Sequence, residues 1–119
     1  MARDVRKLRV FQTADTLVLE VYRASAEIPV EERYGLRSQI RRAAVSIATN
    51  IVEGSARRTT REYVHFLNIA NGSSAEALYL LSLAYRLRMI SDTDWTTLSA
   101  QCSEVSRGLQ AMMITLERS

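Results

Sequence analysis

The sequence is poor in the residues that staple, turn and catalyse. One cysteine, Cys102, leaves no internal disulfide framework, and with one histidine, His65, a structural zinc set within a chain is not expected. Proline occurs once and glycine four times, too few for a fold with many tight turns. Long helices with few connections are the reading that fits. No apolar run approaches the roughly 18 residues of a membrane span. The basic start, MARDVRKLRVFQTADTL, leads into an apolar stretch broken by Glu20, so a signal-peptide core is missing. A cytoplasmic, non-membrane protein is the expectation, and Asn71-Gly72-Ser73, though it matches a glycosylation acceptor, then means little. The chain has no glycine-rich phosphate loop, no HExxH, no CxxC, no nucleophile elbow and no Glu-x-x-His pair. Neither a cofactor nor a metal is expected, and no enzyme.

What is present is one domain's worth of helical pattern. At 119 residues and 13.5 kDa, with 47% hydrophobic and 24% charged residues, the chain can build a single core. Residues 1–9 read as a basic arm or an extension of the first helix. Phe11, Ala14, Leu17, Val18, Val21 and Tyr22 recur at three- and four-residue steps, predicting a helix over 10–28 that Pro29 ends. Leu36, Ile40, Ala43, Ala44, Ile47 and Ile51 predict a second over 36–53, with Gly54 as a left-handed cap. Val45 and Val52 add a second apolar line to that helix and hint at a partner subunit. Thr59 and Glu62 form a capping box for a third helix over 60–89. Gly72 and Ser73 sit in its middle, where a glycine costs up to about 1 kcal/mol against alanine, so a close helix contact is expected there. Ser91 precedes a fourth helix over 93–117 with Trp95, Leu98, Cys102, Val105, Leu109 and Met112 on its apolar face. Four long helices with short connections give an all-α, antiparallel up-down-up-down four-helix bundle as a single domain over 1–119.

Few side chains suggest chemistry. His65 lacks a signature nucleophile or orienting carboxylate, and Cys102 on an apolar stripe reads as a small buried hydrophobe. Asp92 and Asp94 suit the positive end of a helix. Asn50 and Glu53 lie near a helix C-terminus, where a carboxylate needs a local partner such as Arg57 or Arg58. The charge distribution says more. Residues 1–63 carry 12 Lys or Arg against 8 acids, and residues 64–119 carry 4 against 5. Arg37, Arg41, Arg42, Arg57, Arg58 and Arg61 fall within one stretch of 25 residues that holds a single acid, Glu53. Guanidinium forks suit phosphate backbones, and they equally suit salt bridges to residues such as Glu31, Glu32 and Glu62.

The run from Glu32 through Gly54, ERYGLRSQIRRAAVSIATNIVEG, followed by Arg57-Arg58, Glu62, Phe66-Leu67, Ile69-Ala70 and Gly72-Ser73, resembles the four-helix bundle proteins encoded in intervening sequences of bacterial 23S rRNA genes. The opening LRVFQTA and the stretch from Val21 to Pro29 fit the same family. Arg41, Arg42, Asn50, Glu53, Gly54, Arg58, Glu62, Gly72 and Ser73 match its motif. Thr49 stands where the family commonly has proline, which implies a straighter second helix. The resemblance implies a homopentamer arranged as a barrel, and kinship in fold to the accessory proteins of diversity-generating retroelements, which work beside a reverse transcriptase on nucleic acid. It assigns no chemical step.

The expectation is a non-enzymatic homo-oligomer that binds RNA or DNA weakly and without sequence preference through Arg37, Arg41, Arg42, Arg57, Arg58 and Arg61. Val45, Asn50, Val52, Glu53, Gly54, Glu62, Gly72 and Ser73 are expected to serve structure or interface. The competing reading is a scaffold whose arginines serve assembly or an unknown protein partner.

Overall fold

A computed structural model describes residues 4–118. Residues 1–3 of the basic arm lie outside the described residues; the rest of the arm forms a 3-10 turn, Val5–Lys7, before the first helix. Four helices follow: α1 (Arg9–Ser25), α2 (Leu36–Ser55), α3 (Thr60–Arg86) and α4 (Asp92–Glu117). No strand occurs among the described residues. Each helix packs on the next, and α1 closes the bundle against α4, giving an antiparallel up-down-up-down arrangement. The molecule measures 46 × 23 × 20 Å, so its two ends are well separated.

The apolar stripes meet at the axis. Leu17, Val21, Ile40, Ile47, Ile51, Tyr63, Leu67, Leu81, Leu98 and Leu109 are fully buried. Each such side chain contributes about 1.5–3 kcal/mol relative to exposure. Two serine pairs cross the interior. Ser46 and Ser73 hydroxyls meet at 2.7 Å between α2 and α3. Ser74 donates to the Cys102 carbonyl at 3.1 Å and lies 2.9 Å from the Ser106 hydroxyl, tying α3 to α4. Burial raises the Cys102 thiol to about 12.

The helix ends depart from the pattern in instructive ways. Pattern carries α1 to Ile28, but it stops at Ser25, and the Glu27 and Ile28 amides bond three residues back to Ala24 and Ser25 at 3.2 and 3.1 Å. The carbonyls this frees are taken by arginines of α2, as described below. Gly54 is not a left-handed cap: no glycine among the described residues has positive φ, and α2 continues to Ser55. Its role is spatial. A Cβ at Gly54 would stand 3.0 Å from both Phe66 Cβ and Tyr63 Cδ1, so glycine lets the start of α3 press onto the end of α2. α2 is continuous through Thr49, whose hydroxyl donates to the Ser46 carbonyl at 3.3 Å.

α3 ends at Arg86, three residues before the expected Met89. Arg88 takes the left-handed conformation, φ 62°, and the Met89 amide bonds back to the Ala84 carbonyl at 2.8 Å. Thr59 and Ser91 cap α3 and α4 as expected, accepting from the Glu62 and Asp94 amides at 3.1 Å. Gly72 overturns its expectation. It faces outward, and a Cβ there would meet nothing within 4 Å, whereas its neighbour Ser73 is buried against Ser46.

Candidate nucleic-acid interface

The arginines between 37 and 61 do not form one surface. Arg37 and Arg41 lie in the first turns of α2, while Arg57 follows its last turn, about 30 Å away along a helix of 20 residues. Arg37 donates to the Ile28 carbonyl at 2.6 Å and to the Ala26 carbonyl at 3.4 Å. Arg41 donates to the Ser25 hydroxyl at 2.8 Å and to the Tyr22 carbonyl at 3.3 Å, its guanidinium 4.6 Å from the Tyr22 ring centroid. Both therefore satisfy orphan groups at the end of α1, where cations also complement the helix dipole. Their guanidinium donors are engaged within the chain.

Arg57 is held as well. It donates to Glu53 at 2.9 Å, one helical turn back, and lies 4.7 Å from the Phe66 ring centroid. Glu53 thus finds the local partner its place on the helix requires. Asn50 stays within α2, donating to the Ser46 carbonyl at 2.8 Å and hydroxyl at 3.1 Å. Glu62 accepts from the Thr59 hydroxyl at 3.0 Å and pairs with no arginine among the described residues. Val45 is half-buried and Val52 is exposed on the outer side of α2. None of the arginines pairs with Glu31 or Glu32 among the described residues.

Three arginines remain. Arg42 is exposed in the second turn of α2, beside Arg41 but on a shallow groove with Gln39, Ser46 and Glu76. Arg58 and Arg61 are exposed in and just after the α2–α3 connection, without hydrogen-bond or ion-pair partners among the described residues. The antiparallel order brings the start of α1 to that same end. Lys7 and Arg9, exposed and likewise unpaired, join Arg58 and Arg61 there. The neighbouring Arg6 is neutralised by Asp4, whose carboxyl the Arg6 guanidinium holds below its usual range.

The opposite end is balanced. Glu20, Glu27, Glu31, Glu32, Asp92 and Asp94 stand among Arg23, Arg33, Arg37, Arg41, Arg86 and Arg88. Arg23 bridges Asp94 and Glu20, both at 2.8 Å, and these bonds, that to Asp94 foremost, hold its guanidinium above its ordinary range. Asp94 therefore does more than face a helix dipole: it joins the start of α4 to the end of α1. Asp92 accepts from the Tyr85 hydroxyl at 2.8 Å, which raises the tyrosine's pKa. His65 is exposed and edge-on to Phe66, with ring centroids 5.3 Å apart. Among the described residues no three His, Cys, Asp or Glu side chains gather in a metal-holding group, and no helix is long and apolar enough to cross a membrane.

The sequence profile described as 23S rRNA-intervening sequence protein matches residues 6–111, nearly the whole bundle. The chain belongs to that family. A crystal structure of a protein of unknown function from the S23 ribosomal protein family of Bacteroides thetaiotaomicron has the same fold, with a TM-score of 0.80 at 22% identity, covering 87% of this chain and 97% of that one. No curated protein matches the chain. For this member of the 23S rRNA-intervening sequence family, the basic end built by Lys7, Arg9, Arg58 and Arg61 is the surface best suited to a polyanion. Lys7 and Arg9 were readable only as part of a basic arm, because their proximity to Arg58 arises from the antiparallel chain path.

Proposed function

We propose that this protein is a non-enzymatic, cytoplasmic homo-oligomer that binds RNA or DNA weakly and without sequence preference. The observation that carries this reading is the set of unpaired cations at one bundle end, Lys7, Arg9, Arg58 and Arg61. Phosphate contacts of this kind supply affinity without base readout. No aromatic residue lies between Arg57 and Arg61 to stack a base, so sequence preference has no obvious source. Arg37 and Arg41 leave the proposed footprint because they are spent on α1, and Arg57 contributes less than its free neighbours.

Assembly multiplies the effect, since closed symmetry repeats the basic end in every copy. Leu19, Tyr22 and Val52 are exposed on α1 and α2, at 67%, 44% and 43%, and give an oligomer apolar surface to cover. The number five, a homopentamer, comes from the family resemblance. Sedimentation equilibrium at micromolar concentration tests it, and a 13.5 kDa species there contradicts assembly. The same exposed side chains favour the second reading, a scaffold for a protein partner. Retention of a short single-stranded oligonucleotide at about 50 mM salt, lost on raising the salt, separates the two readings.

A further inference from the structure

The seam between the start of α1 and the stretch from Glu104 to Met112 of α4 is open at the surface. A groove of about 450 Å³ runs there, floored by Leu8, Val10, Gly108 and Met112. That volume falls in the range of small-molecule sites, which combine apolar walls with a few polar groups that fix orientation. Gly108 shapes the floor: a Cβ there would stand 3.0 Å from Val10 Cγ2, so glycine eases the packing of α1 on α4 at this level. Arg9 from α1 and Arg107 from α4 stand on the rim. Both are exposed and neither has a hydrogen-bond or ion-pair partner among the described residues. The rim carries one carboxylate, Glu104, against these two guanidinium groups. An apolar trough with a net positive mouth calls for an occupant that is apolar along its length and anionic at one end.

We infer that this groove binds a single-chain fatty acid, its carboxylate held between Arg9 and Arg107 and its alkyl chain lying over Val10, Gly108 and Met112. Guanidinium forks match a carboxylate geometrically, and two of them placed on different helices outweigh the repulsion of Glu104. Burial of the chain supplies the remaining affinity. The site shares Arg9 with the basic end but uses none of Lys7, Arg58 and Arg61, and its probes carry no phosphate, so R58A/R61A tests the nucleic-acid reading without touching the groove.

Decanoate and its neutral analogue decanol are the probes, titrated calorimetrically into the full chain, with amide shifts mapped by NMR. Decanoate should bind saturably and shift the Val10, Gly108 and Met112 amides. Decanol should bind at least about tenfold more weakly. R9A/R107A changes two exposed, unbonded side chains, so the variant should keep its melting temperature and lose decanoate affinity by at least about tenfold. Equal binding of the two probes, or equal decanoate binding by wild type and variant, overturns the proposal. Absence of saturable decanoate binding also overturns it. If in that case R9A/R107A shifts the sedimentation profile, a second copy of the chain covers the groove instead.

Discussion

Arg41 lies 4.6 Å from the Tyr22 ring centroid and donates to the Tyr22 carbonyl at 3.3 Å, so one guanidinium both stacks on and caps the last turn of α1. Arg37 takes the next free carbonyls, those of Ala26 and Ile28. These residues hold α1 to α2, and their substitution should be felt as stability. R41A should cost about 1–2 kcal/mol, a charged hydrogen bond plus a half-exposed cation–π contact, and R37A a similar amount. Urea unfolding of both variants, beside nucleic-acid affinity measured on the folded proteins, checks this. The expected result is lower midpoints with unchanged affinity.

Gly54 and Gly72 should respond oppositely to alanine. At Gly54 the new methyl would press on Tyr63 and Phe66 at 3.0 Å, and overpacking of this kind costs about 1–3 kcal/mol. At Gly72 it meets nothing, and the helix gains up to about 1 kcal/mol. Thermal melts of G54A and G72A should move in opposite directions.

Arg88 holds a left-handed conformation, φ 62°, at the end of α3, where glycine carries no Cβ penalty. R88G should therefore stabilise the protein by up to about 1 kcal/mol in a denaturant melt.

Much of this was legible in the sequence. The starts of α2 and α3 and the caps at Thr59 and Ser91 follow from periodicity and local hydrogen-bonding chemistry, which act within a few residues. What escaped depends on contacts between distant segments. The arrest of α1 at Ser25 involves Arg37 and Arg41, and Gly54 is explained by the rings of α3. Asp94 gains its meaning from Arg23, 71 residues earlier. The six arginines look like a single patch in one dimension, but α2 carries Arg37 and Arg57 to opposite ends. Gly72 misled because mid-helix glycine signals close approach only if a neighbour is there.

Cys102 supplies a pH prediction. Its folded thiol is raised to about 12 by burial, above the unfolded value near 9, so the contribution is fully present below pH 9. Above that the unfolded thiolate takes over, and stability falls by at most about 1.4 kcal/mol per pH unit until the folded thiol also ionises. The raised Tyr85 acts in the same direction. C102S should flatten the alkaline loss between pH 9 and 12. The native protein should resist thiol reagents at pH 8 and react only on unfolding.

The division of the arginines into structural and free sets is tested most directly by a fluorescence-anisotropy titration of a short single-stranded oligonucleotide, at about 50 and about 200 mM salt, with wild type and R58A/R61A. Wild type should bind at the lower salt and weaken steeply at the higher. R58A/R61A should bind more weakly, its salt slope reduced by about 1.4 for two lost phosphate contacts on a single strand. Equal affinities and equal slopes for the two proteins, or no wild-type binding at the lower salt, would contradict that division.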